Sequence, residues 1–140
     1  MKTIILYYSF SGRTKALALQ KANELNADIE EITEIKKPSV LKAYFVGTVH
    51  AIKRKKTKIN PVKSELSNYD LIIIMAPVWA SRPAPAFNNI IELIPSGKKV
   101  ELVMVSAGGG TKDSAEKTKR LVKAYGGEVI AYTDVNAHKK

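Results

Sequence analysis

Ile4-Ile-Leu-Tyr-Tyr-Ser-Phe-Ser-Gly-Arg-Thr-Lys15 runs from an apolar segment through a short Ser/Gly/Thr turn into a helical pattern. Residues 3–8 read as a near-continuous apolar strand, the kind buried on both faces of a sheet. Over residues 14–25, Leu17, Ala18, Ala22 and Leu25 recur on one side of a helix. A strand that passes at once into a helix presents the helix's first N–H groups beyond the strand end. Those groups have no intrahelical partners and sit at the positive end of the helix dipole, so the turn suits an anion. Ser9, Ser11 and Thr14 supply hydroxyls, and Arg13 is expected to face solvent. The spacing is neither a Walker loop nor a GxGxxG fingerprint, and so short a loop wraps one terminal phosphate rather than a pyrophosphate. The competing reading is a turn that binds nothing, in which Ser11 or Thr14 merely caps the helix.

Outward from this stretch the chain alternates strand and helix. Residues 27–33 alternate Ile29 and Ile32 with acids and predict an edge or near-edge strand. Pro38-Ser39 opens a second helical pattern, with Val40, Leu41, Tyr44, Phe45, Val49 and Ile52 in register and Gly47 interrupting it. Residues 71–76 are the strongest strand, followed by a loop over 77–83 and a helix over about 84–93. Another strand is predicted over 100–106, closed by Gly108-Gly-Gly110. Asp113 and Glu116 have capping-box spacing for a helix running to Tyr125 and stopped by Gly126-Gly127. A last strand covers 128–135. The order β-α-β-α-β-α-β-α-β, with no internal repeat, predicts one α/β domain: a parallel five-stranded sheet in order 2-1-3-4-5 between two helical layers.

Composition narrows the function. A chain of 140 residues with 45% hydrophobic content supports one packed core. It contains no cysteine, which excludes disulfides, thiolate metal sites and cysteine nucleophiles. With only His50 and His138, no metal site is expected. No apolar run approaches the roughly 18 residues of a membrane span. The first strand is too short for a signal peptide, and Gly12-Arg13-Thr14-Lys15 stands where cleavage would occur, so a cytoplasmic location is expected. The net charge is +10. Lys53, Arg54, Lys55, Lys56, Lys58 and Lys63 hold much of the surplus with no acid among them, and read as a solvated helix end and connector. No aromatic interrupts that run, which disfavours nucleic acid as a partner.

Ligands of such sheets bind beyond the strand ends, where the strand order reverses. Three loops rich in Gly, Ser, Thr and Trp follow strands: 9–14, 77–83 and 106–111. Trp79, the only tryptophan, offers a planar face for a flat heterocycle or else packs beneath its loop. Gly108-Gly-Gly110 lets main chain approach a ligand, or simply forms a turn. No carboxylate pair or Ser/His/Asp set stands out, so in an enzyme a cofactor would carry the chemistry.

Taken together, these segments resemble the flavodoxin-like family over nearly the whole chain. Ser9-Phe-Ser-Gly-Arg-Thr14 resembles its phosphate loop, and residues 68–80 its third strand and flavin loop. Arg82-Pro-Ala-Pro-Ala-Phe87 resembles one bacterial and archaeal branch, and Ser106-Ala-Gly-Gly-Gly110 falls at that branch's second flavin loop. The resemblance implies FMN held non-covalently by Ser9, Phe10, Ser11, Gly12, Arg13, Thr14, Pro77, Val78, Trp79, Ala80, Ser106, Ala107, Gly108 and Gly109. It implies electron transfer to a redox partner protein, or FMN-dependent reduction of a quinone-like acceptor. Family members end with a fifth helix, expected here to be missing or truncated because only Asn136-Ala-His-Lys-Lys140 follows the last predicted strand. A homodimer is one way to cover the sheet face so left open. The other function class is a degenerate module without FMN, binding partners through its basic segment.

Overall fold

A computed structural model of the chain describes residues 1–36, 39 and 46–137. Its elements in chain order are β1 (Thr3–Tyr7), α1 (Arg13–Leu25), β2 (Asp28–Glu31), α2 (Thr48–Ile52) and a 3-10 turn (Leu66–Asn68). Then come β3 (Leu71–Trp79), β4 (Arg82–Pro83), α3 (Ala86–Ile91), β5 (Lys99–Ser106), α4 (Ala115–Ala124) and β6 (Glu128–Asn136). The sheet order is β2-β1-β3-β5-β6, every neighbouring pair parallel. Counting only these five, the order is 2-1-3-4-5, as the alternation predicts. The sixth strand, β4, was not predicted: it folds back antiparallel on the end of β3, with Val78 opposite Pro83 and Trp79 opposite Arg82.

Alternation along the strands divides the core. Ile4, Leu6, Ile72, Ile74, Val100, Leu102 and Met104 face one side, where Phe87, Ile90 and Ile91 of α3 and Val122 of α4 cover them. Ile5, Tyr7, Ile73, Met75, Val103 and Val105 face the other, where α1 covers them with the buried Ala18 and Ala22 and the partly buried Leu17. Over β5 and β6 this second layer is thin. A cavity of about 190 Å³ opens there between Leu17, Lys21, Met75, Val103, Thr133 and Val135, and Lys21 bridges to Glu101 at 3.2 Å.

The carboxyl end of α4 follows local chemistry. Behind α4, Gly126 takes φ +100, its N–H bonds Lys123 O at 2.9 Å, and Gly127 N–H bonds Val122 O at 3.1 Å, a Schellman closure where the glycine pair predicts a stop. The capping box at Asp113 and Glu116 does not form. The helix starts one residue later, with Ser114 at the cap position and no side-chain cap bond. α3 is also shorter than predicted, six residues beginning after Pro85.

The second helical pattern is described only in its later part. Val40, Leu41, Tyr44 and Phe45 lie outside the described residues. Val49 and Ile52 do fall in a helix, α2, where the buried residue is Ala51 and these two are about half exposed. The basic run is more than a solvated connector. Its backbone crosses α3, where Asn88 and Asn89 bond Lys55 and Thr57, and then follows β2. There Asn60 N–H donates to Thr33 O at 2.8 Å and Lys63 and Ser64 N–H groups to the Glu30 carboxylate, each at 2.8 Å. Covering the sheet edge in this way satisfies backbone groups that an open edge leaves bare. β6 reaches Asn136, one residue beyond the predicted strand, and residues 138–140 lie outside the described set.

Candidate functional site

The three predicted loops follow β1, β3 and β5, which are adjacent in the sheet, so they share one rim. The first turn leaves β1 after Tyr8, whose N–H bonds Met75 O at 3.1 Å. Gly12 then adopts φ +97, open to glycine without strain, and its N–H donates to Ser9 Oγ at 3.1 Å. No side chain caps α1. Ser11, Gly12 and Arg13 are exposed, whereas Thr14 is buried at 2% exposure. The helix therefore starts with its first-turn N–H groups unclaimed by Ser11 or Thr14, against the capping-loop alternative. A tight turn, hydroxyls and an uncapped positive helix end fit a phosphate monoester.

At the second loop the structure differs from expectation. Pro77, Val78 and Trp79 belong to β3, and the loop is only the tip Ala80-Ser81 of the β3–β4 hairpin. Both tip residues have positive φ, +52 and +63, the pattern of a type I′ turn built without glycine. Ser114 Oγ donates to Ser81 O and Arg82 Nη1 to Ala80 O at 3.0 Å, holding the tip. The Trp79 indole stands edge-on to the rings of Tyr8 (centroids 6.2 Å apart) and Phe10 (5.7 Å) and stays partly exposed. Trp79 packs against Tyr8, Ala84 and Ala86 and borders the rim. Gly47 abuts it, so close that an added β-carbon would lie 2.6 Å from Trp79 Cζ3.

The third loop leaves β5 at Ser106, which is buried and donates from Oγ to Gly108 O at 2.6 Å. Ser106 therefore shapes the loop. Ala107, Gly108 and Gly109 are exposed, and β-carbons on the two glycines would meet nothing within 4 Å, leaving their backbone open to close approach. Thr111 anchors the loop's far end, with N–H and Oγ1 both bonded to Asp134 Oδ1, at 3.1 and 2.7 Å.

Sequence reading missed three rim residues. Tyr8 is 3% exposed, and its hydroxyl donates to Glu34, which also accepts from Thr57 Oγ1 at 2.8 Å. Burial, followed by the Glu34 hydrogen bond and charge, raises the Tyr8 pKa far above its ordinary value, so this phenol remains a donor. Its position between strand and phosphate turn was the available signal. The placing of Arg54 against the start of α4, and of Ser114 against the hairpin tip, gave none, because those partners are distant in sequence.

A strand-turn-helix anion cradle beside an aromatic rim, on this strand order, is the arrangement expected of a flavin mononucleotide protein. The family model described as NADPH-dependent FMN reductase matches residues 1–138. The chain belongs to this family. It is an FMN-binding, flavodoxin-like protein of FMN-dependent reduction. A flavoprotein of Lactobacillus acidophilus, solved in complex with FMN, is similar at 26% identity and TM-score 0.81, covering 97% of this chain and 94% of its own. The apo-form of the flavoprotein from that organism is similar at 24% identity and TM-score 0.69, covering 96% and 91%. The two-electron reduced flavodoxin of Megasphaera elsdenii shares the fold at 20% identity and TM-score 0.55, over 96% of this chain and 86% of its own. No curated protein matches the chain. Among the described residues of this FMN reductase family member, no helix is long and apolar enough to cross a membrane.

Proposed function

We propose that the FMN monophosphate lies in the Ser9–Thr14 turn and its isoalloxazine between the Trp79 rim and the Gly108 loop, and that the protein takes electrons from NADPH and passes them to a quinone-like acceptor. The observation that carries this reading is the uncapped start of α1 behind left-handed Gly12. Bound FMN supplies the redox chemistry. The chain's residues bind and orient it: the Ser9 and Ser11 hydroxyls and first-turn N–H groups receive the dianion, while Phe10 and Trp79 wall one side of the ring. Tyr8, held by Glu34, keeps the base of that wall in place. The family's nicotinamide donor favours a reductase over a carrier that depends on another protein. A cytoplasmic location, where NADPH is at hand, belongs to the same reading.

Ser11→Asp tests the phosphate assignment without harming the fold. A carboxylate there favours the helix dipole by about 0.3–1 kcal/mol, so the apo-protein should melt no lower than wild type. It should repel the dianion and weaken FMN binding at least tenfold, by roughly 1.4 kcal/mol, with riboflavin binding unchanged. Equal effects on FMN and riboflavin would remove the phosphate from this turn. Steady-state oxidation of NADPH with a quinone separates reductase from carrier, since a carrier turns over poorly without a partner.

A further inference from the structure

Arg54 and Arg82 are two cations that the flavin reading does not use. Arg54 follows α2 at φ +55, a left-handed backbone that residues with a β-carbon avoid. Its guanidinium reaches the first turn of α4, where Nη1 donates to Thr118 Oγ1 at 2.8 Å and Nη2 to Ser114 O at 3.4 Å. Its Nε is buried without a partner among the described residues. A helix amino end is itself positive, so this is an unfavourable resting place for a cation. Arg82 belongs to the β3–β4 hairpin, and Ser114 links that hairpin to Arg54, its carbonyl accepting from Arg54 and its Oγ donating to Ser81 O, while Arg82 itself bonds Ala80 O at the same tip. Burial, and then the charge of Arg82, pulls the Arg54 pKa below its ordinary value. No carboxylate offsets them in the described ion pairs, which are Lys21–Glu101, Lys56–Glu92 and Lys119–Glu116. Asp134 is occupied by Thr111.

Guanidinium groups offer forked donors that match phosphate oxygens, and two of them held together without an acid form a place where an anion lowers the energy. We infer that Arg54 and Arg82 form a phosphate subsite beside the β3–β4 hairpin, taking the phosphate carried by the molecule that exchanges electrons with the flavin. The subsite is separate from the Ser9–Thr14 turn, and it rests on the reading that this hairpin borders the flavin.

The FMN-loaded protein is titrated by calorimetry with adenosine 2′,5′-bisphosphate, adenosine 5′-monophosphate and inorganic phosphate, in wild type, Arg82→Gln, Arg54→Gln and Lys21→Gln. The bisphosphate should bind, and Arg82→Gln should weaken it about tenfold. Lys21→Gln removes one charge on the opposite sheet face and should leave binding unchanged. Arg82→Gln breaks one part-buried bond, to Ala80 O, and is the primary variant; both arginine variants are read once their circular dichroism matches wild type. Binding of the bisphosphate alone assigns the ligand as a ribose 2′-phosphate, and comparable binding of all three assigns a free-phosphate subsite. Absence of binding, or an equal loss in Lys21→Gln, overturns the inference. FMN retention is followed separately by absorbance. Loss of FMN with intact bisphosphate binding would fault the flavin reading and leave the subsite standing.

Discussion

At the scale of single residues, two glycines shape the rim for different reasons. Gly12 is needed for its backbone: φ is +97, and an added β-carbon would touch nothing. Gly47 is needed for space, because its backbone is ordinary helix while a β-carbon would collide with the indole of Trp79. Gly47→Ala should therefore push Trp79 aside and destabilise the protein by about 1–3 kcal/mol. As Trp79 is the sole tryptophan, its emission spectrum reports the displacement directly. Pairing Gly47→Ala with Trp79→Phe should recover most of the loss; unchanged emission and melting in the single variant would refute the contact. In sequence, Gly47 reads only as an interruption of a helical pattern, since the ring that requires it is supplied by another strand.

Among elements, the β3–β4 hairpin departs most from its local preferences. Two consecutive left-handed residues normally call for Asn-Gly, and here they are Ala80 and Ser81. Bonds from Ser114 and Arg82 hold the tip in this conformation. Ser81→Gly relieves the left-handed strain and leaves the Ser81 carbonyl available to Ser114. The expected result is a gain of about 0.5–1 kcal/mol in chemical denaturation. A lower midpoint would show that the turn is not held against its preference. The same hairpin explains why residues 77–83 read as a loop: Pro77 and Pro83 flank it, and proline in a run argues against a strand. Pro77 nevertheless pairs with Val105 inside the sheet, and its carbonyl accepts from Ala84 N–H at 2.9 Å.

For the whole molecule, tyrosines tie stability to high pH. Tyr69 donates to Asp28 at 2.6 Å; that bond first, then burial and the charges of Asp28 and Glu30, pushes its pKa up to about 12 from 10.0. Below pH 10 the folded and unfolded chains both hold the proton, and the contribution is complete. As pH climbs from 10 towards about 12 the unfolded chain releases its proton first, so stability falls. Thermal melts across that range should show the decline, with a shallower slope in Tyr69→Phe; identical slopes would assign it to other groups. Burial also raises Tyr8 and Tyr132, adding to the fall. Cofactor binding acts in the opposite direction. FMN at a hundred times its dissociation constant should stabilise the fold by about 2.7 kcal/mol, visible as a melting temperature several degrees higher than without it. Riboflavin at the same concentration should do less.

The order of the five parallel strands with their helices and the turn over Ser9–Thr14 were legible in the chain. Each depends on residues adjacent in sequence: apolar runs, helical spacing and glycine pairs act through local backbone preference and burial. The capping box at Asp113 and the role of the Lys53–Lys63 run were not legible, because distant partners outweighed local preference. Ser114 turns its hydroxyl to the hairpin and leaves its helix uncapped, and the basic segment gives its backbone to the edge of β2. The meeting of Arg54 with Arg82, and of Gly47 with Trp79, likewise exists only in three dimensions. Sequence periodicity states which face of an element is apolar; only packing decides which atoms from remote segments occupy the same space.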